Sequence, residues 1–143
     1  MNKLALYLDV LEDGRSVEKD GLAFSNASIV KCWIDGKNLD DLENFQDSLI
    51  YFSELEESAR APGSYLIFTC ACGIAEDGGW EGVAVKHNGD VIEWAIDTGS
   101  KAYRYLFNKT QYCDEIESLR DAISTAHLPL EPKQVIFPLN FHR

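Results

Sequence analysis

Cations are scarce in this sequence. Thirteen Lys and Arg residues stand against 24 Asp and Glu over 143 residues, a formal net charge of −11. Such a surface repels phosphate backbones, which proteins bind by displacing counterions with Lys and Arg. Nucleic acid is therefore not an expected partner, and anionic membranes are disfavoured for the same reason. Long apolar runs are also missing: no stretch approaches the ~20 residues that a bilayer span needs. The opening MNKLALYLDV is broken by Asp9 and followed by Glu12, Asp13 and Arg15, so it does not read as a signal peptide. The expected location is cytoplasmic, where thiols stay reduced.

The common catalytic signatures are absent as well. There is no G-x-S-x-G elbow, no G-x-x-x-x-G-K-[ST] loop and no G-x-G-x-x-G turn. That removes the motif-based case for an α/β-hydrolase, a P-loop enzyme or a dinucleotide-binding enzyme. The three histidines, His87, His127 and His142, are scattered. Four cysteines are present without a C-x-x-C pair, so the ligand spacing of common zinc sites is missing. The sequence calls for no cofactor and no metal, and the protein is not expected to be an enzyme.

What is present suffices for one domain spanning residues 1–143. The composition is 45% hydrophobic and 11% aromatic, well above that of a disordered chain. A fold of this length buries roughly two-thirds of the surface of its unfolded chain and needs no disulfide staple. Residues 3–11 and 28–34 read as strands, and the polar segment 12–27 between them as a turn or long hairpin loop. The stretch 64–72 is apolar on both faces, as in a central strand, and the turn residues Gly73 and Asp77-Gly78-Gly79 follow it. Residues 80–87 and 91–96 flank Asn88-Gly89-Asp90, a hairpin signal, and 101–107 adds a further strand.

Two helices are expected. Leu39, Leu42, Phe45, Leu49, Phe52 and Leu55 recur at steps of three and four, the period of one buried helical face. Asn38 is the candidate N-cap and Pro62-Gly63 the stop. The second helix covers about 110–126, with Tyr112, Ile116, Leu119, Ile123 and Ala126 on one face and Asn108 or Thr110 as cap. The fold class is α+β: a mostly antiparallel sheet with two main helices packed on it.

The polar face of the first predicted helix carries the leading functional signal. Asp40, Glu43, Asp47, Glu54 and Glu57 recur at helical spacing, with Tyr51 between the middle members. Between residues 35 and 60 only Lys37 and Arg60 are cations among eight acids. A carboxylate stripe on a rigid helix imitates a phosphate backbone and suits a basic protein partner, with Tyr51 as an anchor. The plainer reading is a solvated surface helix.

A second candidate is Cys70-Ala71-Cys72-Gly73. In a strand both sulfurs face one side, with Cys32, Cys113 or His87 as the remaining ligands of a metal site or His87 as the activating base of a thiol. The acids around these cysteines, Glu76, Asp77 and Glu81, oppose a thiolate. Trp80 and Trp94 are expected to meet as a core pair across the hairpin.

The stretch FTCACGIAEDGGWEGVAVKHNGDVIEW, residues 68–94, resembles a group of small bacterial proteins with an F-T-C-x-C-G turn, then W-x-G-V and a hairpin ending in Trp. Where that group often has a further Cys, this chain has Glu76-Asp77-Gly78-Gly79. In size, acidity and predicted class the whole is similar to bacterial immunity proteins of toxin systems, including contact-dependent growth inhibition. That resemblance implies a non-catalytic inhibitor that covers the active site of a basic, nuclease-type toxin.

Overall fold

The computed structural model describes residues 1–75 and 80–143; the expected Asp77-Gly78-Gly79 turn lies outside them. The elements run β1 (Leu4–Leu11), β2 (Val17–Lys19), β3 (Leu22–Phe24), β4 (Ala27–Ile34), β5 (Lys37–Asn38), a 3-10 turn (Leu39–Asp41), β6 (Ser48–Ile50), α1 (Phe52–Ser58), β7 (Gly63–Tyr65), β8 (Phe68–Cys70), β9 (Val83–Asn88), β10 (Val91–Asp97), β11 (Ala102–Asn108) and α2 (Lys109–Thr125). These strands pair antiparallel throughout. They form a three-stranded sheet in the order β1-β4-β5, a four-stranded sheet β11-β10-β9-β7, and two short pairs, β2-β3 and β6-β8. The class is α+β, as expected.

Local chemistry accounts for much of this. The β9–β10 hairpin closes through Gly89-Asp90, since Val91 pairs with Asn88 and Gly89 takes the positive φ of 60° that a tight hairpin turn demands. Asn108 caps α2, its side-chain oxygen accepting from the Gln111 backbone N–H at 3.0 Å. Tyr112, Ile116 and Leu119 form the buried face of that helix. At the start of β9 only glycine fits. Gly82 has φ +113°, and a Cβ there would lie 2.8 Å from Ser64 Oγ and 3.0 Å from Phe141 Cε2.

Three expectations are corrected. The helix predicted across 39–55 does not form. Asn38 does cap, accepting from the Asp40 N–H at 3.0 Å, but it caps only one 3-10 turn. The chain then enters β6, paired Ser48↔Cys70, Leu49↔Thr69 and Ile50↔Phe68, and α1 spans seven residues. Leu39, Phe45, Leu49, Phe52 and Leu55 are nevertheless all buried. The spacing was right that these five point inward and wrong about the backbone that turns them there, and Ser48, Ile50 and Glu54, off the predicted face, are buried as well. Asn38, Asp40, Asp41, Asn44, Asp47 and Ser48 are weak helix formers, so strand pairing with β8 wins.

The single strand predicted over 64–72 is two. β7 joins the four-stranded sheet, whereas β8 pairs with β6. Leu66 and Ile67 between them are fully buried, and the Leu66 N–H is satisfied by the Glu54 carboxylate at 3.0 Å rather than by a ladder. The segment 12–27 holds the β2–β3 hairpin, turned by Asp20 and Gly21, both at positive φ.

One core cluster joins both larger sheets and both helices, with Leu4, Leu6, Val30 and Ile34 facing Trp94, Phe107, Leu55, Tyr112 and Ile116. A smaller cluster, Leu11, Ile29, Leu49 and Ala71, sits under Val17 and Phe24 of the β2–β3 hairpin. Helix α2 also covers the outer edge of β1. Gln111 accepts from the Leu4 N–H at 3.1 Å and donates to its carbonyl at 2.5 Å, and Glu115 accepts from the Leu6 N–H at 2.9 Å. Side chains of a helix thus stand in for a missing strand at an otherwise open edge.

Inside the core, three polar side chains form a closed chain. Trp94 Nε1 donates to the Tyr112 hydroxyl at 3.0 Å, that hydroxyl meets Ser58 Oγ at 2.6 Å, and Ser58 donates to the Leu55 carbonyl at 2.5 Å. Because Ser58 spends its proton on Leu55, Tyr112 must donate to Ser58, which leaves the tyrosine oxygen to accept from the indole. Each polar group has a partner, as burial requires.

Candidate functional site

Behind the Asp20-Gly21 turn lies a cavity of about 290 Å³, lined by Asp20, Glu43, Asn44, Asp47, Ser48, Cys70 and Trp80. Its residues come from four places in the chain. The β2–β3 turn supplies Asp20, the connection into β6 supplies Glu43, Asn44 and Asp47, β6 and β8 supply Ser48 and Cys70, and the residue leading to β9 supplies Trp80. The Asp47 carboxylate accepts from the Asp20 backbone N–H at 2.9 Å, which ties the turn to the opposite wall. Ser48 Oγ donates back to the Phe45 carbonyl at 2.8 Å. The Trp80 ring packs on Phe45 and Phe68, centroids 5.4 and 5.7 Å away, and remains half-buried. Among the described residues three carboxylates and no cation line this space.

The predicted acidic stripe does not survive as one face, because its helix does not form. Glu43 and Asp47 are both exposed and meet at the cavity. Asp40 is instead an internal counter-ion, 3.1 Å from Lys19 Nζ and 2.7 Å from Lys31 Nζ. Lys19 is only 4% exposed and also donates to the Gln46 carbonyl at 3.0 Å, so its charge requires Asp40. Glu54 is buried, accepting from the Leu66 N–H and pairing with Arg143 at 2.8 Å. Tyr51 stands at the N-cap of α1 with its ring 6.3 Å from that of Phe137, and Glu57 pairs with Arg60 at 3.0 Å.

Asp20, Asn44 and Trp80 were missed as site residues. The first had a signal, since Asp-Gly marks a tight turn that presents its carboxylate. The others depend on a packing that no local pattern announces. Nor do Trp80 and Trp94 form the expected pair. Trp94 is wholly buried against Phe68, Phe107 and Tyr112, while Trp80 lies over Phe45 and Phe68.

The cysteines are likewise dispersed, apart from one pair. Cys32 is buried in the main core, where burial and then the Asp40 charge push its thiol far above the usual range. Cys113 is half-buried on α2. His87 Nε2 lies 2.9 Å from the Ser58 carbonyl, to which only its N–H form can bond, so that nitrogen is a donor. Among the described residues no group of three or more His, Cys, Asp and Glu side chains is arranged to hold a metal ion. Cys70 and Cys72 do meet: β8 ends at Cys70, and the following turn brings the sulfurs to 3.1 Å. Burial pushes the Cys70 thiol up to about 11, with the Cys72 thiol contributing, so Cys70 is protonated at neutral pH.

No protein-family model, curated protein or solved structure matches the chain. Among the described residues no helix is long and apolar enough to cross a membrane.

Proposed function

We propose that this protein is a non-catalytic inhibitor that binds a basic protein partner, in the manner of an immunity protein covering the active site of a nuclease-type toxin. The observation that carries this reading is the cavity itself, where Asp20, Glu43 and Asp47 converge beside the Trp80 ring without a cation. At about 290 Å³ it lies at the small end of the ~300–1,000 Å³ of small-molecule sites. A single Lys or Arg side chain of the partner suits it better than a substrate. A guanidinium entering there gains charge-assisted hydrogen bonds from the carboxylates and cation–π attraction from the indole. The net charge of −11 speeds encounter with such a partner at low salt.

The test is capture of a partner from host lysate on wild-type protein and on a Glu43→Lys/Asp47→Lys variant, with washes at low and high salt. The wild type should retain one stoichiometric basic protein whose nuclease activity it suppresses, and the variant should lose it at low salt. A partner held equally by both proteins, or none held by the wild type, would refute the reading.

A further inference from the structure

The sulfurs of Cys70 and Cys72 are 3.1 Å apart, and this contact is built by the fold. β8 terminates at Cys70, and Gly73 turns the chain at φ +85°, a conformation that L side chains rarely adopt. Cys72 is thereby folded back over Cys70, and its sulfur accepts from the Ile74 N–H at 3.4 Å. The two thiols differ in access: Cys70 is 3% exposed whereas Cys72 is exposed. The Cys72 thiol has two acceptors in reach, the Cys70 sulfur at 3.1 Å and the Ile74 carbonyl at 3.7 Å, and Cys70 donates to the Asp20 carboxylate at 3.5 Å. A disulfide needs S–S of ~2.04 Å, so closing it asks for an approach of roughly 1 Å.

We infer that Cys70 and Cys72 form a reversible intrachain disulfide by thiol–disulfide exchange with a small disulfide such as oxidised glutathione. The exposed Cys72 thiolate attacks one sulfur of the oxidant, forming a mixed disulfide and expelling one glutathione thiolate, which takes up the Cys72 proton from solvent. The Cys70 sulfur then attacks the Cys72 sulfur as its own proton passes to Asp20, and the second glutathione leaves as a thiolate that takes up that proton. Two protein thiols are oxidised and one glutathione disulfide is reduced to two glutathiones. The ring closed by adjacent-but-one residues is tight, and strained, accessible disulfides are the readily reduced kind, so the bond forms and breaks with the glutathione poise. This modification does not rest on the partner-binding reading, although Cys70 also lines the acidic cavity.

The experiment equilibrates the purified full chain in glutathione buffers of increasing oxidised fraction, then quenches with acid, alkylates and digests with trypsin. Cys70 and Cys72 share the tryptic peptide 61–86. In oxidised buffer that peptide should be two hydrogens lighter and resist alkylation, and excess reduced glutathione should restore both thiols. A Cys70→Ser variant should instead accumulate glutathione on Cys72, since nothing resolves the mixed disulfide. A wild type alkylated at both positions after excess oxidised glutathione overturns the proposal. So does a wild type that carries glutathione on Cys72 without closing the ring. Both readouts use the wild-type protein and do not depend on how the variant folds.

Discussion

Replacing Tyr112 by Phe removes one oxygen from the middle of the buried polar chain and leaves the ring in place. Tyr112 is fully buried, and its ring keeps its contacts with Trp94 and Phe107 at centroid distances of 6.0 and 5.4 Å. Ser58 still donates to Leu55, so its loss is small. Trp94 is the residue that suffers, because among the described residues its indole N–H has no other acceptor and Trp94 is 0% exposed. A buried donor left unsatisfied costs about 1–3 kcal/mol, and we expect about 2 kcal/mol for Tyr112→Phe. Unfolding entropy for a chain of this length is about 0.3 kcal/mol/K, so the melting temperature should fall by about 7 °C. Ser58→Ala should cost a similar amount, about 2 kcal/mol, because it takes the acceptor from the buried Tyr112 O–H, and the indole, itself a donor, cannot replace it. The double variant should be less destabilised than the two singles together, as expected for side chains of one network.

Alkali supplies a second reading of the same site. Burial raises the Tyr112 hydroxyl far above its ordinary value. The neutral form is therefore favoured in the fold, its contribution is complete below pH ~10, and it is lost as pH rises through the ordinary tyrosine value. Chemical denaturation of wild type and Tyr112→Phe at pH 7 and in alkali should show the gap between them narrowing as pH climbs past ~10. A Tyr112→Phe protein within 0.5 kcal/mol of wild type at neutral pH, with no narrowing in alkali, would refute the directional network.

Two further perturbations test other parts of the structure. Asp40→Asn removes the counter-charge of the Lys19 ammonium, 4% exposed, while its amide oxygen can still accept a hydrogen bond; a loss of about 2 kcal/mol in urea unfolding is expected, and an unchanged midpoint would show that Asp40 is not its counter-ion. Cys32 is held as a neutral thiol by burial first and the Asp40 charge second, so its contribution is complete below the ordinary thiol value of ~8.5 and falls away above it. Cys32→Ala should cost stability at neutral pH and flatten the decline between pH ~8.5 and 10, and an identical pH slope in both proteins would count against the burial of that thiol.

The strands that announce themselves locally and the long helix were legible in the chain alone. β1, β4, β9, β10 and β11 alternate or sit beside unmistakable turns, and α2 combines an Asn cap with three buried residues at helical spacing. The sequence also marked Leu39, Phe45, Leu49, Phe52 and Leu55 as buried, though not Ser48, Ile50 or Glu54. What it did not determine was the backbone there, because steps of three and four place residues inward on a helix and equally on a turn, a strand and a short helix in series. Only pairing between Ser48–Ile50 and Phe68–Cys70, a contact across some twenty residues of chain, selects the second arrangement. The acidic residues divided for the same reason. Composition showed an excess of carboxylates but not their assignments. Tertiary structure turned Asp40 and Glu54 inward to neutralise Lys19, Lys31 and Arg143, and left Glu43 and Asp47 to meet Asp20 and Trp80 around one cavity. A carboxylate's task depends on which charge comes within a few ångströms of it, and that distance is set by the fold.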